Sequence, residues 1–249
     1  YALNMATDKK AITDFLGAGQ IPALSVVPPI EGYETPKSLN VEVGGKTYDV
    51  LSFNPDAARE LMAKAGFANG DGRDGRRLNV EIMFNTLDTH RQIAEIVQQQ
   101  WRKNLNIDVT LANEEWKVYL ETLNNVQYNG VARRAWTGDY VDPNTFLDMF
   151  VTGSVNNGTG WTDPRYDAML EGANSTTDPA QRMKKMSEAE SYMLRAMPYV
   201  PLYIYTWYYL QKPYVRGIEA NILDQHPFKY VWIDKGWKPG REQTQIAEG

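Results

Sequence analysis

The sequence contains no cysteine and only two histidines. The missing cysteines exclude disulfide scaffolds, thiolate metal sites and cysteine nucleophiles, and they are compatible with the cytosol or with an oxidising compartment. The histidines, His90 and His226, are far apart and lie in neither of the spacings by which paired histidines bind zinc. The motifs of serine hydrolases, P-loop proteins and dinucleotide-binding proteins are also missing. We therefore expect no metal, no cofactor and no enzymatic activity.

Long hydrophobic runs and a basic charge balance are missing as well. The longest apolar stretch, residues 199–210, contains Pro201 and is too short to span a bilayer. A net charge of −5 favours neither nucleic acid nor an anionic membrane as a partner. The hydrophobic fraction of 43% is ordinary for a globular protein with a core. Because the chain begins inside a predicted helix over residues 2–16, we expect a fragment or an excised domain.

The sequence does contain an alternation of strand and helix patterns. Alternating aliphatic residues predict strands, and apolar residues at helical spacing predict helices. The predicted elements are a strand over 78–85, a helix over 88–105, a strand over 106–115, a helix over 116–125 and a strand over 128–136. This order predicts strands joined by crossover helices, which is an α/β fold.

The flanking regions show different patterns. Residues 21–48 are rich in proline and glycine, which predicts an extended surface segment. Two Asp-Pro pairs, at 163–164 and 178–179, are each typical of a helix start, with aspartate as the N-cap and proline in the first turn. Residues 199–215 are rich in aromatic side chains and predict a further strand.

Neighbouring carboxylates keep a hydrolase open as an alternative function. Glu114 and Glu115 are adjacent, and Asp139 and Asp142 are close in sequence. Paired carboxylates of this kind can supply an acid and a base for glycoside hydrolysis. Acidic neighbours are nevertheless common, and their separation across a cleft does not follow from the sequence.

Residues 132–140, with the sequence ARRAWTGDY, combine cations, a large ring and a carboxylate in one short segment. Trp136 ends the third predicted strand, and Trp116 follows the second. Ligands of α/β sheets bind beyond the carboxyl ends of the strands, so both tryptophans are expected at a cleft. Their position beside Arg133 and Asp139 favours contact with a ligand over core packing.

Several stretches resemble a known family. They are residues 2–13, 84–122, 131–148 and 199–217. In these stretches the chain resembles the carboxy-terminal part of the extracytoplasmic solute-binding proteins of peptide ABC transporters, of the oligopeptide-binding type. The resemblance implies the C-terminal lobe of a two-lobed periplasmic binding protein-like fold, with a mixed sheet flanked by helices. Residues 1–205 would form this peptide-binding lobe, and residues 206–249 would be a return strand and tail that pack on a missing N-terminal lobe.

The resemblance also implies a role for individual residues. Asp139 would pair with the α-ammonium group of a peptide, the cation that all unblocked peptides share. Trp116 and Trp136 would line pockets for the peptide's side chains, since flat rings accept varied groups. Arg133 and His90 would act as cations for the peptide carboxylate, directly or through water. The full set of implied ligand-binding residues is Asn85, His90, Trp116, Arg133, Ala135, Trp136, Thr137 and Asp139.

The backbone of residues 135–137 would pair with an extended peptide as an added strand, which gives affinity independent of side chains. Arg134 departs from the family, because a small residue usually occupies its position. Strand alternation predicts that Arg134 points opposite to Arg133, and therefore away from the peptide.

The resemblance implies the substrate-binding receptor of a peptide ABC importer, in the periplasm or another extracytoplasmic space and associated with the membrane through the transporter. Short peptides, ABC permease subunits and the missing lobe of the same protein would be its partners. The alternatives are a receptor of the same fold for another solute (a murein peptide, haem, a metal chelate or an oligosaccharide), a carboxylate-dependent hydrolase, or a protein-interaction module.

Overall fold

The computed structural model describes residues 1–238 and has the predicted α/β character. The α-helices are α1 Ala2–Met5, α2 Lys9–Leu16, α3 Pro55–Lys64, α4 Asp88–Leu105, α5 Trp116–Asn124, α6 Asn144–Leu147, α7 Pro164–Asn174 and α8 Pro179–Ala196. The strands are β1 Ile21–Pro22, β2 Asn40–Val43, β3 Lys46–Asp49, β4 Asn79–Asn85, β5 Asp108–Glu114, β6 Val131–Ala132, β7 Tyr203–Ile204, β8 Val215–Arg216 and β9 Trp232–Ile233.

A three-stranded parallel sheet with the order β5-β4-β6 lies at the centre of the fold. Strands β4 and β5 pair along their full length, from Asn79 opposite Asp108 to Asn85 opposite Glu114. Helix α4 connects them, which is the crossover that a parallel pair requires. Asn106 ends this helix in the left-handed conformation, with φ of 56°. The carboxyl ends of the three strands therefore lie at one edge of the sheet.

Two large hydrophobic cores and a smaller cluster around Met83, Tyr119 and Leu123 stabilise residues 1–206. The first packs α1, α3 and α4 against the central sheet, and Trp101 and Val109 are buried in it. The second packs α6, α7 and α8 together, with Tyr166 and Met186 fully buried. Helix α8 contributes to both cores, since Met193 belongs to the second and the adjacent Leu194 to the first. The two cores are thus joined through one continuous helix.

The start of the chain departs from the predicted helix over residues 2–16. The structure has α1 and α2 instead, with Asp8 between them as the N-cap of α2, accepting from the Ala11 N–H at 3.0 Å. The Asp8 N–H donates to Gln100 of α4 at 2.8 Å, and the Trp101 Nε1 donates to the Thr7 hydroxyl at 2.9 Å. These contacts with α4 hold the chain at the break, which local periodicity could not indicate.

Two of the predicted strands are shorter than expected. The strand predicted over 128–136 reduces to β6, and the aromatic strand predicted over 199–215 reduces to β7, which pairs antiparallel with β1. β6 pairs with only part of β4, and β7 with the two residues of β1, so neither has a longer ladder. β-propensity alone therefore overestimated both lengths.

The segment 21–48 is more buried than its prediction as an extended surface segment. Ala23, Val27, Tyr33 and Leu39 are buried, and β2 and β3 form a hairpin. The segment packs against helices that are far away in sequence, and this packing buries proline- and glycine-rich chain that would otherwise be exposed.

The chain divides into two compact units, residues 1–206 and the residues from Trp207 onward. In the second unit, β8 and β9 form an antiparallel pair, and His226 contacts Asp224 at 2.9 Å. The role expected for residues 206–249 against a further lobe stays a prediction. No helix within residues 1–238 is long and apolar enough to cross a membrane.

Candidate functional site

The carboxyl edge of the central sheet brings Asn85 and His90 together. Asn85 is the last residue of β4, and His90 lies in the first turn of α4. Both side chains are buried, and the His90 Nδ1 lies 3.0 Å from the Asn85 Oδ1. The amide oxygen can only accept, so the proton of a neutral imidazole lies on Nδ1 and leaves Nε2 as an acceptor.

The surroundings of His90 oppose the positive charge that the family resemblance implies for it. Burial and, to a smaller extent, the nearby positive charge of Arg133 together lower the pKa of His90 to about 4, although the hydrogen bond to Asn85 opposes the shift. The imidazole is therefore neutral at pH 7. This favours a hydrogen-bonding contact over a charged one, and the sequence could not show that an arginine lies beside the imidazole.

Arg133 is held at the same edge by its backbone. Its N–H donates to the Met83 carbonyl at 2.8 Å, which extends the pairing of β6 with β4 by one residue, and its carbonyl accepts from the Tyr119 hydroxyl. The guanidinium lies beside Tyr203 and His90 and acts electrostatically on both. Among the described residues, no ion pair involves Arg133.

Trp116 is the first residue of α5, just after the end of β5. Glu115 is the N-cap of α5 and accepts from the Lys117 N–H at 2.9 Å, which fixes the start of the helix. The indole stacks on Tyr119 with a ring separation of 6.1 Å and is 50% exposed. A half-exposed, supported ring of this kind is suited to receiving an apolar group.

Residues 135–137 present free backbone. Ala135 and Thr137 are exposed, whereas the Trp136 ring between them packs against the second core. Within residues 1–238, the N–H and C=O groups of these three residues make no hydrogen bond. Such a stretch can pair with an extended chain in the manner of an edge strand.

Asp139 ends this stretch with an available carboxylate. Its N–H donates to the Thr145 hydroxyl at 3.0 Å, and that hydroxyl lies 3.5 Å from Oδ2. The side chain is exposed, and no cation of the described part of the chain pairs with it. Burial raises the pKa of Asp148, and the charge of Asp139 raises it further. Two carboxylates close together make this end of the segment attractive to a cation.

Asp139 and Asp142 differ in their partners, so they are not two equivalent free carboxylates. Both Asp142 oxygens accept from Arg182, at 2.5 and 2.9 Å, and this ion pair is mostly buried. Among the described residues, Asp142 is therefore paired with a cation, whereas Asp139 is not. The segment 133–139 combines a cationic end, free backbone and an anionic end, which are complementary to an extended zwitterion.

A family model described as bacterial extracellular solute-binding proteins, family 5, middle part, matches residues 1–158. This is well over half of the chain. The chain is a family 5 solute-binding protein. Its fold matches part of the fold of solved periplasmic oligopeptide-binding proteins.

Among curated relatives, this family 5 protein is 33% identical to the oligopeptide-binding protein OppA of Bacillus subtilis, over 87% of this chain and 38% of the relative. It is 31% identical to the periplasmic murein peptide-binding protein MppA of Escherichia coli, over 88% of this chain and 39% of the relative. The chain thus spans about two fifths of the length of these relatives.

A solved structure of a periplasmic oligopeptide-binding protein from Borrelia burgdorferi superposes with a TM-score of 0.76 at 31% identity. The match covers 93% of this chain and 44% of that one. The family and α/β fold expected from the sequence are confirmed by these matches.

The site of this family 5 protein includes residues that the sequence reasoning missed. Tyr119 binds the Arg133 carbonyl, Tyr203 lies beside the Arg133 guanidinium, and Thr145 binds Asp139. Tyr203 is far from Arg133 in sequence, so only the tertiary fold brings it there. Thr145 lies in the first turn of α6, six residues after Asp139, and no sequence pattern indicated this contact.

Proposed function

We propose that this chain is the ligand-binding lobe of a receptor that serves a peptide ABC importer. The observation that carries the proposal is the free backbone of residues 135–137, which lies between an available cation and an available carboxylate. A peptide that runs antiparallel to this segment offers the complementary groups, with its carboxylate at Arg133 and its ammonium at Asp139. The names of the relatives, which are oligopeptide- and murein peptide-binding proteins, support this ligand class.

The α-ammonium group of the peptide would bind Asp139. This carboxylate is oriented through its own N–H and Thr145 and has no cation of its own in the described residues. The neighbouring Asp148 adds negative potential. A desolvated ammonium–carboxylate pair would fix the register of any unblocked peptide, whatever its side chains are.

The peptide carboxylate would meet Arg133, with neutral His90 and Asn85 as the hydrogen-bonding groups behind it. Six residues of extended chain separate Arg133 from Asp139 and span at most roughly 20 Å. An extended ligand advances about 3.4 Å per residue, so the two ends match a peptide of only a few residues.

Side-chain contacts would come from Trp116 and Trp136. Trp116 is half exposed and supported from behind by Tyr119. Rings offer contact area without demanding particular hydrogen bonds, so these contacts would tolerate varied side chains. Ala135 and Thr137 would contribute through their backbone groups.

The partners in this proposal are short peptides, an N-terminal lobe of the same protein and the subunits of an ABC permease. Binding would take place in a cleft between the lobes, in the periplasm or another extracytoplasmic space, and lobe closure would present the loaded receptor to the membrane transporter. The receptor would not be an enzyme, and Asp142 is held by Arg182 rather than available as a second catalytic carboxylate.

The test is calorimetric titration of the complete receptor with a free tripeptide and with its N-acetylated form. We expect Asp139→Asn to weaken binding of the free peptide by about 2–5 kcal/mol, because the ammonium loses its partner in a desolvated site. Asp14→Asn is the matched control, since Asp14 is exposed and pairs with Lys10 outside the site.

Equal binding of free and acetylated peptides by the unchanged receptor would contradict the role of Asp139. Release of amino acids from the tripeptide, abolished by Asp139→Asn, would instead establish the hydrolase. If the receptor bound another solute and no peptide, it would be a receptor of the same fold for that solute.

A further inference from the structure

Arg134, the residue next to the proposed carboxylate contact, is a partly buried cation without a counter-ion. Its Nη1 atom is inaccessible to solvent and has no hydrogen-bond partner among residues 1–238. No ion pair or hydrogen bond of its side chain occurs within residues 1–238. A buried charge that is left uncompensated destabilises a fold, so this arrangement calls for an anion that the described chain does not supply.

Aromatic side chains and Gly158 surround Arg134. The guanidinium lies over the Trp136 ring, 6.0 Å from its centroid, and both Tyr119 and Tyr128 are close enough to act on its charge. Gly158 leaves room for it, because a Cβ there would lie 2.7 Å from Nη1. Burial lowers the pKa of Arg134, and the groups that oppose this shift are the two phenols, not a carboxylate.

A second orphaned donor belongs to Trp136, the ring over which the Arg134 guanidinium lies. The Trp136 Nε1 is buried and has no hydrogen-bond partner in the described residues. Both orphaned groups are donors, so the group that satisfies them must be an acceptor. A carboxylate fits best, since it accepts two hydrogen bonds and neutralises a guanidinium.

Arg134 and Arg133 lie beside different residues. Arg133 acts on His90 and Tyr203, whereas Arg134 lies against Trp136 and Gly158. The alternation that predicted Arg134 to face away from the ligand holds only within a strand, and β6 ends at Ala132. Beyond β6, the Arg134 guanidinium lies over Trp136, which is itself a proposed ligand contact.

We infer that Arg134 and the Trp136 Nε1 form a subsite for a second carboxylate of the ligand, which makes the receptor selective for peptides that carry an acidic group. This inference rests on the proposed function. Either an acidic side chain or, in a peptide of different length, the terminal carboxylate could supply the group, and the experiment distinguishes them.

The test measures affinities of the complete receptor for four tripeptides: Ala-Glu-Ala and Ala-Gln-Ala, each with a free and an amidated carboxyl terminus. We expect a preference for glutamate over glutamine on the order of tenfold, as for a paired charge in a partly desolvated site. Arg134→Gln should abolish that preference while the receptor still binds both peptides. Arg134→Lys should keep part of it, because an ammonium retains the charge but not the planar fork.

Two further variants make the result specific. Trp136→Phe keeps a ring but removes the Nε1 donor, and it should reduce the preference as well. Arg165→Gln is the matched control, since Arg165 is also an arginine over a ring, Tyr192 at 4.9 Å, but is exposed and outside the site. If Arg134→Gln instead abolishes the preference for a free over an amidated terminus, the subsite binds the terminal carboxylate.

The inference is overturned if both Arg134→Gln and Trp136→Phe retain every preference of the unchanged receptor. It is also overturned if that receptor binds all four tripeptides equally, and peptide binding as such then still stands. Failure to bind any of a broad set of peptides would overturn the proposed function, and this subsite with it.

Discussion

The carboxylate of Glu190 accepts a hydrogen bond from the Tyr33 hydroxyl at 2.6 Å in the interior of the second core. The same carboxylate accepts from the N–H groups of Val26 and Val27, at 3.2 and 3.4 Å. Glu190 belongs to α8 and is completely buried. One carboxylate thus fastens an otherwise irregular segment to the helix that joins the two cores.

We expect Glu190 to make stability depend on pH. Burial raises the pKa of Glu190 from 4.5 to about 7, against the opposing effect of its hydrogen bonds. The folded state therefore holds the proton more tightly than the unfolded state does. The contribution of Glu190 to the free energy of unfolding is fully present below pH 4.5. It is lost as pH rises through 7, and the total loss is up to about 3 kcal/mol.

Glu190→Gln should remove this share of the pH dependence, because an amide does not titrate. The measurement is the free energy of unfolding in urea between pH 4.5 and 8. Glu188→Gln is the control, since Glu188 is an exposed glutamate on the same helix. Identical pH profiles for the unchanged chain and Glu190→Gln would show that Glu190 titrates normally.

Lys9 is expected to destabilise the fold at neutral pH. It is 7% exposed, and its Nζ has no hydrogen-bond partner in the described residues. Burial lowers its pKa from 10.5 to about 8. Between these values the unfolded state binds the proton more tightly, so the free energy of unfolding increases as pH rises from 8 to 10.5. Below pH 8 the buried ammonium is charged and destabilises the folded state.

Lys9→Met should therefore raise the free energy of unfolding at pH 7, by up to about 3 kcal/mol. Lys10→Met is the neighbouring control, because Lys10 is exposed and pairs with Asp14. The measurement is the free energy of unfolding of both variants and of the unchanged chain, by heat or urea. A loss of stability in Lys9→Met would mean that Lys9 has a compensating partner.

His90 should stay neutral throughout the physiological range. Its pKa of about 4 predicts an NMR titration midpoint more than two units below the usual value for histidine. His226→Gln leaves His90 as the one histidine, since the sequence has two. A midpoint near 6.5 would restore the charged role for His90, and peptide affinity would then weaken between pH 6 and 8.

The sequence predicted those parts of the fold that local physics decides. Helix α4 begins and ends at the predicted residues, because its apolar stripe is regular and Asn106 ends it in the left-handed conformation. β4 and β5 were predicted within two residues of their bounds, since their alternation is clear. The resemblance further identified the family, through motifs that extend over most of the chain.

The site could be predicted only as a set of residue types. The segment 133–139 was recognised from its composition, but the neutral state of His90, the ion pair of Asp142 and the orphaned Arg134 each depend on a distant neighbour. The same holds for the shorter β6 and for the burial of residues 21–48. Sequence patterns report a residue's own preferences, whereas burial and charge depend on what is next to it.

The sequence by itself therefore determined the α/β order of elements, the family and the candidate segment, because periodicity, capping and composition are local properties. Only the tertiary structure decided which groups in that segment are free and which are paired. That distinction comes from packing between residues far apart in the chain, which removes water from Glu190 and Arg134 alike but provides hydrogen-bond partners to Glu190 alone.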